Sequence, residues 1–287
     1  MKRFILLAIL GASLAMGAEL KTYACGVSRV AFMHELNRAF EKKFNVHTTI
    51  NTKGGDLFVI AGVQKKDADV GSGCRASLET MPSEKEVASI QVAWGALAFI
   101  VNKANHIQDI TTEQIKGILS GRIRNWQELG GENKPIDLII RDSHLSGVGL
   151  TAREVIFNNL DMDFYSKAKQ VKSSGFVRDA VAQDRYAFAI DNTMSSGRAQ
   201  GIKMLDVDGV APTKENILTH AYKMRQALYL YLPKNASDLA HKFVKFALSK
   251  AGQKVISQTG TANLEEASGK GDEENKVVQD ILLDLQD

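Results

Sequence analysis

The chain has 287 residues, 44% of them hydrophobic and 24% charged, with a formal net charge of +3. Charge of both signs is spread evenly, which leaves no electrostatic footprint for nucleic acid. Its two cysteines, Cys25 and Cys74, show no CxxC, CxxCH or zinc-type spacing, which argues against redox-motor, haem-attachment and structural-zinc roles.

Met1-Lys2-Arg3, the apolar run Phe4 to Leu14 and the small residues Ala15, Gly17 and Ala18 have the layout of a cleaved secretory signal over residues 1–18. The run is shorter than the about 20 residues that span a bilayer. Cys25 follows Thr22-Tyr23-Ala24 and has no leucine three residues before it, so a lipid anchor is not expected. Losing Lys2 and Arg3 lowers the net charge from +3 to +1. The roughly 265 residues that remain suit two compact lobes or one large one. The expected product is a soluble, exported, periplasmic protein.

Thr22 to Ala24 reads as the end of a strand, followed by a small-residue turn at Gly26 to Ser28. Phe32, Leu36, Ala39, Phe40 and Phe44 then recur at helical spacing. Val46 to Ile50 is β-rich, Leu57 to Val63 is apolar behind the pair Gly54-Gly55, and Asp69-Val70-Gly71 reads as a short buried strand. Ala93 to Asn102 is a long buried strand of the kind that crosses between lobes. Thr111 to Leu119 is a helix with Thr111 as N-cap and Gln114 completing a capping box. Leu138 to Ile140 is a strand, Thr151 to Asn158 opens a helix after a glycine-bearing turn, Val177 to Ala182 is helix and Tyr186 to Ile190 strand. Ala227 to Leu232 is a strand returning to the first lobe, and Leu239 to Leu248 and Gln253 to Gln258 are helical. Short strands alternating with amphipathic helices predict an α/β fold. The acidic stretch 268–287 carries a stripe of Val277, Val278, Ile281, Leu282 and Leu285, read either as a final packed helix or as a docking helix.

Among single residues, Trp94 and Trp126 are expected in packing, and His34 as a partly buried packing residue of the first helix. His144 lies in a glycine-bearing loop, either facing solvent or acting as a pH-dependent donor. No histidine shows metal-ligand spacing, and no cofactor or metal is expected.

Two stretches carry a family resemblance: Ile110-Thr111-Thr112-Glu113-Gln114-Ile115 running into Gly121-Arg122-Ile123-Arg124-Asn125-Trp126-Gln127-Glu128-Leu129-Gly130-Gly131, and Val207-Asp208-Gly209-Val210-Ala211-Pro212-Thr213. They resemble the phosphate-binding-protein branch of periplasmic solute receptors, and the likeness extends to about Leu264. It implies a two-lobed periplasmic binding protein fold (type II), each lobe a mixed sheet flanked by helices, with the ligand cleft between them. Lobe 1 would comprise residues 19–100 and 228–267, and lobe 2 residues 101–227. The implied ligand is a small tetrahedral oxyanion, phosphate or arsenate. The implied partner is a membrane permease of an ABC importer or, as in arsenic-sensing relatives of this architecture, the periplasmic domain of a sensor histidine kinase.

An oxyanion cleft needs oriented backbone N–H groups and hydroxyls at helix N-termini near the carboxyl ends of strands. The resemblance places four loops there. In the first, Gly26-Val27-Ser28-Arg29 keeps a hydroxyl at Ser28 and adds the cation Arg29. The second, Lys53-Gly54-Gly55-Asp56, keeps glycines, Gly55 among them, and has Asp56 in place of serine. In the third, Ala68 to Arg75, Cys74 stands where relatives offer Ser or Asp, with Arg75 next to it. The fourth, Arg141 to Arg153, resembles a stretched Arg-Asp-Ser-Gly-Ser-Gly-Thr-Arg motif and supplies Arg141, Ser143, Ser146, Gly147 and Val148. Arg75 is also a candidate latch to Asp56 or Asp142.

In this fold Cys25 and Cys74 end neighbouring strands. Strands about 4.8 Å apart permit a disulfide, a thiol pair facing the cleft suits a soft metalloid or metal, and separated buried thiols are the third reading. A rival of another class is an enzyme with Cys74 as nucleophile and His144 as the only local base.

Overall fold

The computed structural model describes residues 18–268. The expected signal and the acidic C-terminal stretch lie outside the described residues, apart from Ala18 and Ser268.

Strand β1 (Glu19–Ala24) leads through two short helical turns, Gly26–Ser28 and Arg29–Met33, into α1 (His34–Phe44). Leu36 and Phe40 bury the inner face of α1, where Phe40 packs on Phe243 and Phe246 at ring separations of 5.1 and 5.8 Å. Burying one such ring stabilises the fold by about 1.5–3 kcal/mol. Asn45 ends the helix in the left-handed region with φ 52°. His34 is exposed on the outer face rather than partly buried, because the 3.6-residue period that buries Met33 and Leu36 turns position 34 to solvent.

The chain continues through β2 (His47–Asn51), α2 (Asp56–Gln64) and β3 (Val70–Gly73). It then runs into β4 (Val87–Asn102), a strand of 16 residues. Next come α3 (Thr112–Leu119), β5 (Asp137–Arg141), α4 (Gly147–Ala152), β6 (Lys169–Val171), α5 (Ser174–Gln183), β7 (Ala187–Asn192) and β8 (Ile202–Met204). Strand β9 (Arg225–Pro233) and helices α6 (Asp238–Leu248) and α7 (Lys250–Gln258) return to the first half. Helix α3 has the expected cap: Thr111 Oγ1 accepts from Gln114 N–H at 3.1 Å and Gln114 Oε1 accepts from Thr111 N–H at 2.9 Å.

Helix α4 starts at Gly147, not at Thr151. Ser146 Oγ caps it by accepting Gly149 N–H at 3.2 Å, so the two glycines read as a turn belong to the first helical turn. Glycine is poor helix material, so the sequence favours a turn there, but a side chain at Gly147 would collide with Cys74 and Asp56.

The strands form a mixed sheet in the order β2-β1-β3-β9-β4-β7-β5-β6. β1 is parallel to β2 and β3, and β5 is parallel to β6 and β7. β9 runs antiparallel to β3 and β4, and β4 antiparallel to β7 and β8. The first half of β4 is paired with β9, while Leu97 to Val101 are paired with β7. Buried Gly95 to Val101 carry the chain through the middle. Helices flank both halves, and the two-lobed α/β architecture is the one expected.

Candidate functional site

The cleft lies where β1, β3 and β5 end and the following helices begin, and encloses about 230 Å³. One wall comes from lobe 1. Thr22, Tyr23 and Ala24 pair in parallel with Val70, Gly71 and Ser72, so Cys25 and Cys74 leave adjacent strand ends. Both cysteines are free and buried. The thiols are not separated: Cys25 Sγ, Cys74 Sγ and an Asp56 carboxylate oxygen all lie within 4.8 Å of one another.

Asp56, first residue of α2 and 4% exposed, organises this wall. Its Oδ1 accepts Cys74 N–H at 2.7 Å, and its Oδ2 accepts Gly147 N–H at 3.2 Å and the Cys74 thiol at 3.6 Å. The Tyr231 hydroxyl stands 3.3 Å from Oδ1 but only 2.6 Å from Arg75 O, which takes its proton. Cys25 Sγ accepts from Ser28 N–H at 3.4 Å. The hydrogen bond with Cys25, burial and the charge of Asp56 together push the Cys74 thiol well above its ordinary range, so the resting group is S–H. Burial, then Asp56, does the same for Tyr231.

The opposite wall comes from lobe 2 and is made of donors. Arg141 ends β5, and Val171 O and Lys172 O hold its Nε and Nη2 at 3.3 and 2.7 Å. A Cβ placed on Gly55 would stand 3.4 Å from Arg141 Nη2, so these two face each other across the cleft. Gly147 admits no side chain: a Cβ there would lie 2.5 Å from Cys74 Sγ and 2.8 Å from Asp56 Oδ2. Gln226 steadies this segment, donating to Gly147 O at 3.2 Å and Thr151 Oγ1 at 2.8 Å while accepting from Asn192. Ser173 caps α5 through Phe176 N–H, and Arg178 pairs with buried Asp191 at 2.8 Å. Burial raises the Asp191 carboxyl against the opposing pull of Arg178 and Ser196.

Of the residues expected at the ligand, the cleft brings together Arg29, Gly55, Asp56, Cys74, Arg141, Gly147 and Val148, with Cys25. Four do not line it. Ser28 is fully buried, its hydroxyl spent on Ser72 O and Oγ at 2.9 Å each. Arg75 is locked to Glu84 at 2.5 and 2.7 Å, and its Nε donates to Leu145 O at 2.9 Å. It does latch the lobes, though through that carbonyl and not through Asp56 or Asp142. Ser143 and Ser146 hydroxyls accept Leu145 and Gly149 N–H groups and line a separate small cavity. His144, exposed, contacts Leu160 O at 2.8 Å and does not line the cleft, which leaves Cys74 without the proposed base.

Sequence reasoning missed Thr52, Ser173, Ser174, Gly175 and Arg178. Ser173-Ser174-Gly175 ahead of an apolar helical run is a helix-start signal that would have found most of them.

The PBP superfamily domain model matches residues 30–251. The chain belongs to this superfamily. Phosphate-binding protein PstS of Bacillus subtilis is 27% identical over 249 residues, 84% of this chain and 81% of that protein. PstS of Borreliella burgdorferi is 27% identical over 176 residues, 58% of this chain, and the match spans 63% of that relative's length, just under two thirds. A Clostridium perfringens substrate-binding protein assigned to phosphate ABC transport, solved with bound phosphate, superposes with a TM-score of 0.75 at 24% identity over 86% of this chain and 99% of its own, a likeness of fold. These relatives are named as phosphate-binding or substrate-binding proteins.

Proposed function

We propose that this superfamily member is an exported solute receptor that closes its lobes on a protonated tetrahedral oxyanion, phosphate or arsenate, and presents it to a membrane permease. The lobes divide near residues 100 and 227, with a cleaved signal over residues 1–18. The observation that carries the reading is the chemistry of the cleft: Arg141 and helix-start N–H groups on one wall meet a single buried carboxylate, Asp56, on the other. Donors and guanidinium groups hold the anion's oxygens. Asp56 accepts a hydrogen bond from an oxyanion that still carries a proton and repels one that carries none, so discrimination comes from an element hostile to the wrong ligand. The names of the PstS relatives support phosphate as the anion and a permease as the partner.

Calorimetry with phosphate, arsenate and sulfate tests this. The wild-type chain should take the first two and reject sulfate, whereas Asp56→Asn, which keeps an oxygen to accept Cys74 N–H, should admit sulfate. Equal affinity of the wild type for sulfate and phosphate would sink the reading.

A further inference from the structure

We infer that Cys25, Cys74 and Asp56 form a binding site for one soft or borderline divalent metal ion, zinc or cadmium, set in the lobe 1 wall of the cleft. The three donor atoms lie within 4.8 Å of one another, all on buried residues, and all open into the same cleft, which supplies an entry path. Tetrahedral zinc with Zn–S bonds of about 2.3 Å holds two thiolates about 3.8 Å apart, so donors within 4.8 Å of one another close on the ion by about 1 Å at most. Two sulfurs and one oxygen favour zinc or cadmium over magnesium or calcium, which prefer all-oxygen shells. Two cysteines are too few for an iron–sulfur cluster, which takes four.

The surroundings fit a metal site as well as the donors do. Ser28 N–H fixes Cys25 Sγ, and Cys74 N–H fixes the Asp56 carboxylate, the outer contacts that orient ligands. Gly147 is bare where any Cβ would press on Cys74 Sγ and Asp56 Oδ2, keeping the space beside the donors open. The step balances as one M²⁺ plus two thiols and one carboxylate giving the complex and two protons released to solvent. The bound group then carries one net negative charge opposite Arg141 and Arg178. A fourth coordination position faces the cleft.

The test titrates cadmium, then zinc, into phosphine-reduced full-length protein in phosphate-free buffer. The expected result is one ion per chain, with ultraviolet thiolate-to-cadmium absorption of two-thiolate intensity that zinc displaces. X-ray absorption on the zinc form should show two sulfur neighbours at about 2.3 Å. Cys25→Ser and Cys74→Ser should each weaken uptake by more than the roughly 10–100-fold that loss of an outer contact costs. No uptake by reduced wild type, fewer than two sulfurs on the ion, or uptake undiminished in Cys74→Ser each overturns the site. So does quantitative Cys25–Cys74 bridging in protein isolated from the cell envelope that no metal prevents. Phosphate titration of wild type in chelator reads the oxyanion site separately, so either conclusion can fail alone.

Discussion

The two walls of the cleft share a frame and differ in chemistry. Each is built where a strand ends and a helix starts, yet the lobe 2 wall presents Arg141, Arg178 and helix-start N–H groups, while the lobe 1 wall presents a carboxylate and two thiols. The same backbone geometry thus supports an anion-holding surface and a surface of opposite character a few ångströms away. What separates them is side-chain identity at three positions, Cys25, Asp56 and Cys74. Asp56 already satisfies N–H groups from both sides, Cys74 on its own lobe and Gly147 on the other, so it stands in for an anion when the lobes meet.

The largest effect should come from the support of the donor wall. Asp191→Ala strands Arg178 and removes the acceptor of Ser196 Oγ at 3.0 Å. Breaking a buried pair by deleting one partner costs about 3 kcal/mol or more, to be read from the urea midpoint. A midpoint unchanged from wild type would show that the pair adds nothing to the wall.

Arg141→Ala comes next. Losing a charge-assisted contact in a desolvated cleft costs a few kcal/mol, about a hundredfold in anion affinity, and calorimetry should show it with the fold intact. Unchanged affinity would move the anion away from the lobe 2 wall.

Gly147→Ala presses the walls apart at their point of contact. Overpacking of this kind costs about 1–3 kcal/mol, roughly tenfold or more in binding. Small-angle scattering should find the ligand-saturated variant less compact than the wild type, and equal radii would mean that Cys74 and Asp56 yield without opening the cleft.

The smallest effect lies far from both walls. Burial alone would raise the Glu266 carboxyl, but Lys214, Ser257 Oγ and Asn263 N–H outweigh it and hold the group below its ordinary range. A depressed carboxylate adds stability above the unfolded value, near 4.3, and loses it as pH falls through the folded value. Glu266→Gln should therefore cost a few tenths of a kcal/mol at neutral pH and progressively less as pH falls through the folded value, by thermal melts across that range. Anion affinity should not change, which separates a general loss of stability from effects on the walls.

Much of the fold was legible because periodicity and capping are local. Thr111 and Gln114 announce α3, and an apolar run announces the crossing strand β4. Loop positions were legible too, through Arg141, Asp56 and Cys74. Which side chains point into the cleft was not, because that depends on local hydrogen bonding that no residue type declares. Ser28 turns to the strand beside it, and Ser143 and Ser146 close their own loop and cap their own helix. Arg75 found Glu84, nine residues on, in place of a ligand. Arg178 reaches the cleft only because Asp191 aims it, a pairing across 13 residues.

The crossing strand has a mechanical consequence. β4 and β9 are not tethers but a hydrogen-bonded ribbon, with a single irregularity in register at Leu228/Tyr229. A ribbon of this kind resists stretching and bending in its plane and yields chiefly to twist. On the proposed closure, opening would follow that one soft coordinate, each lobe retracing the same arc. The walls that meet on closing are always the same pair of surfaces, so three altered side chains on one of them are enough to change what the closed form accepts while the hinge stays as it is.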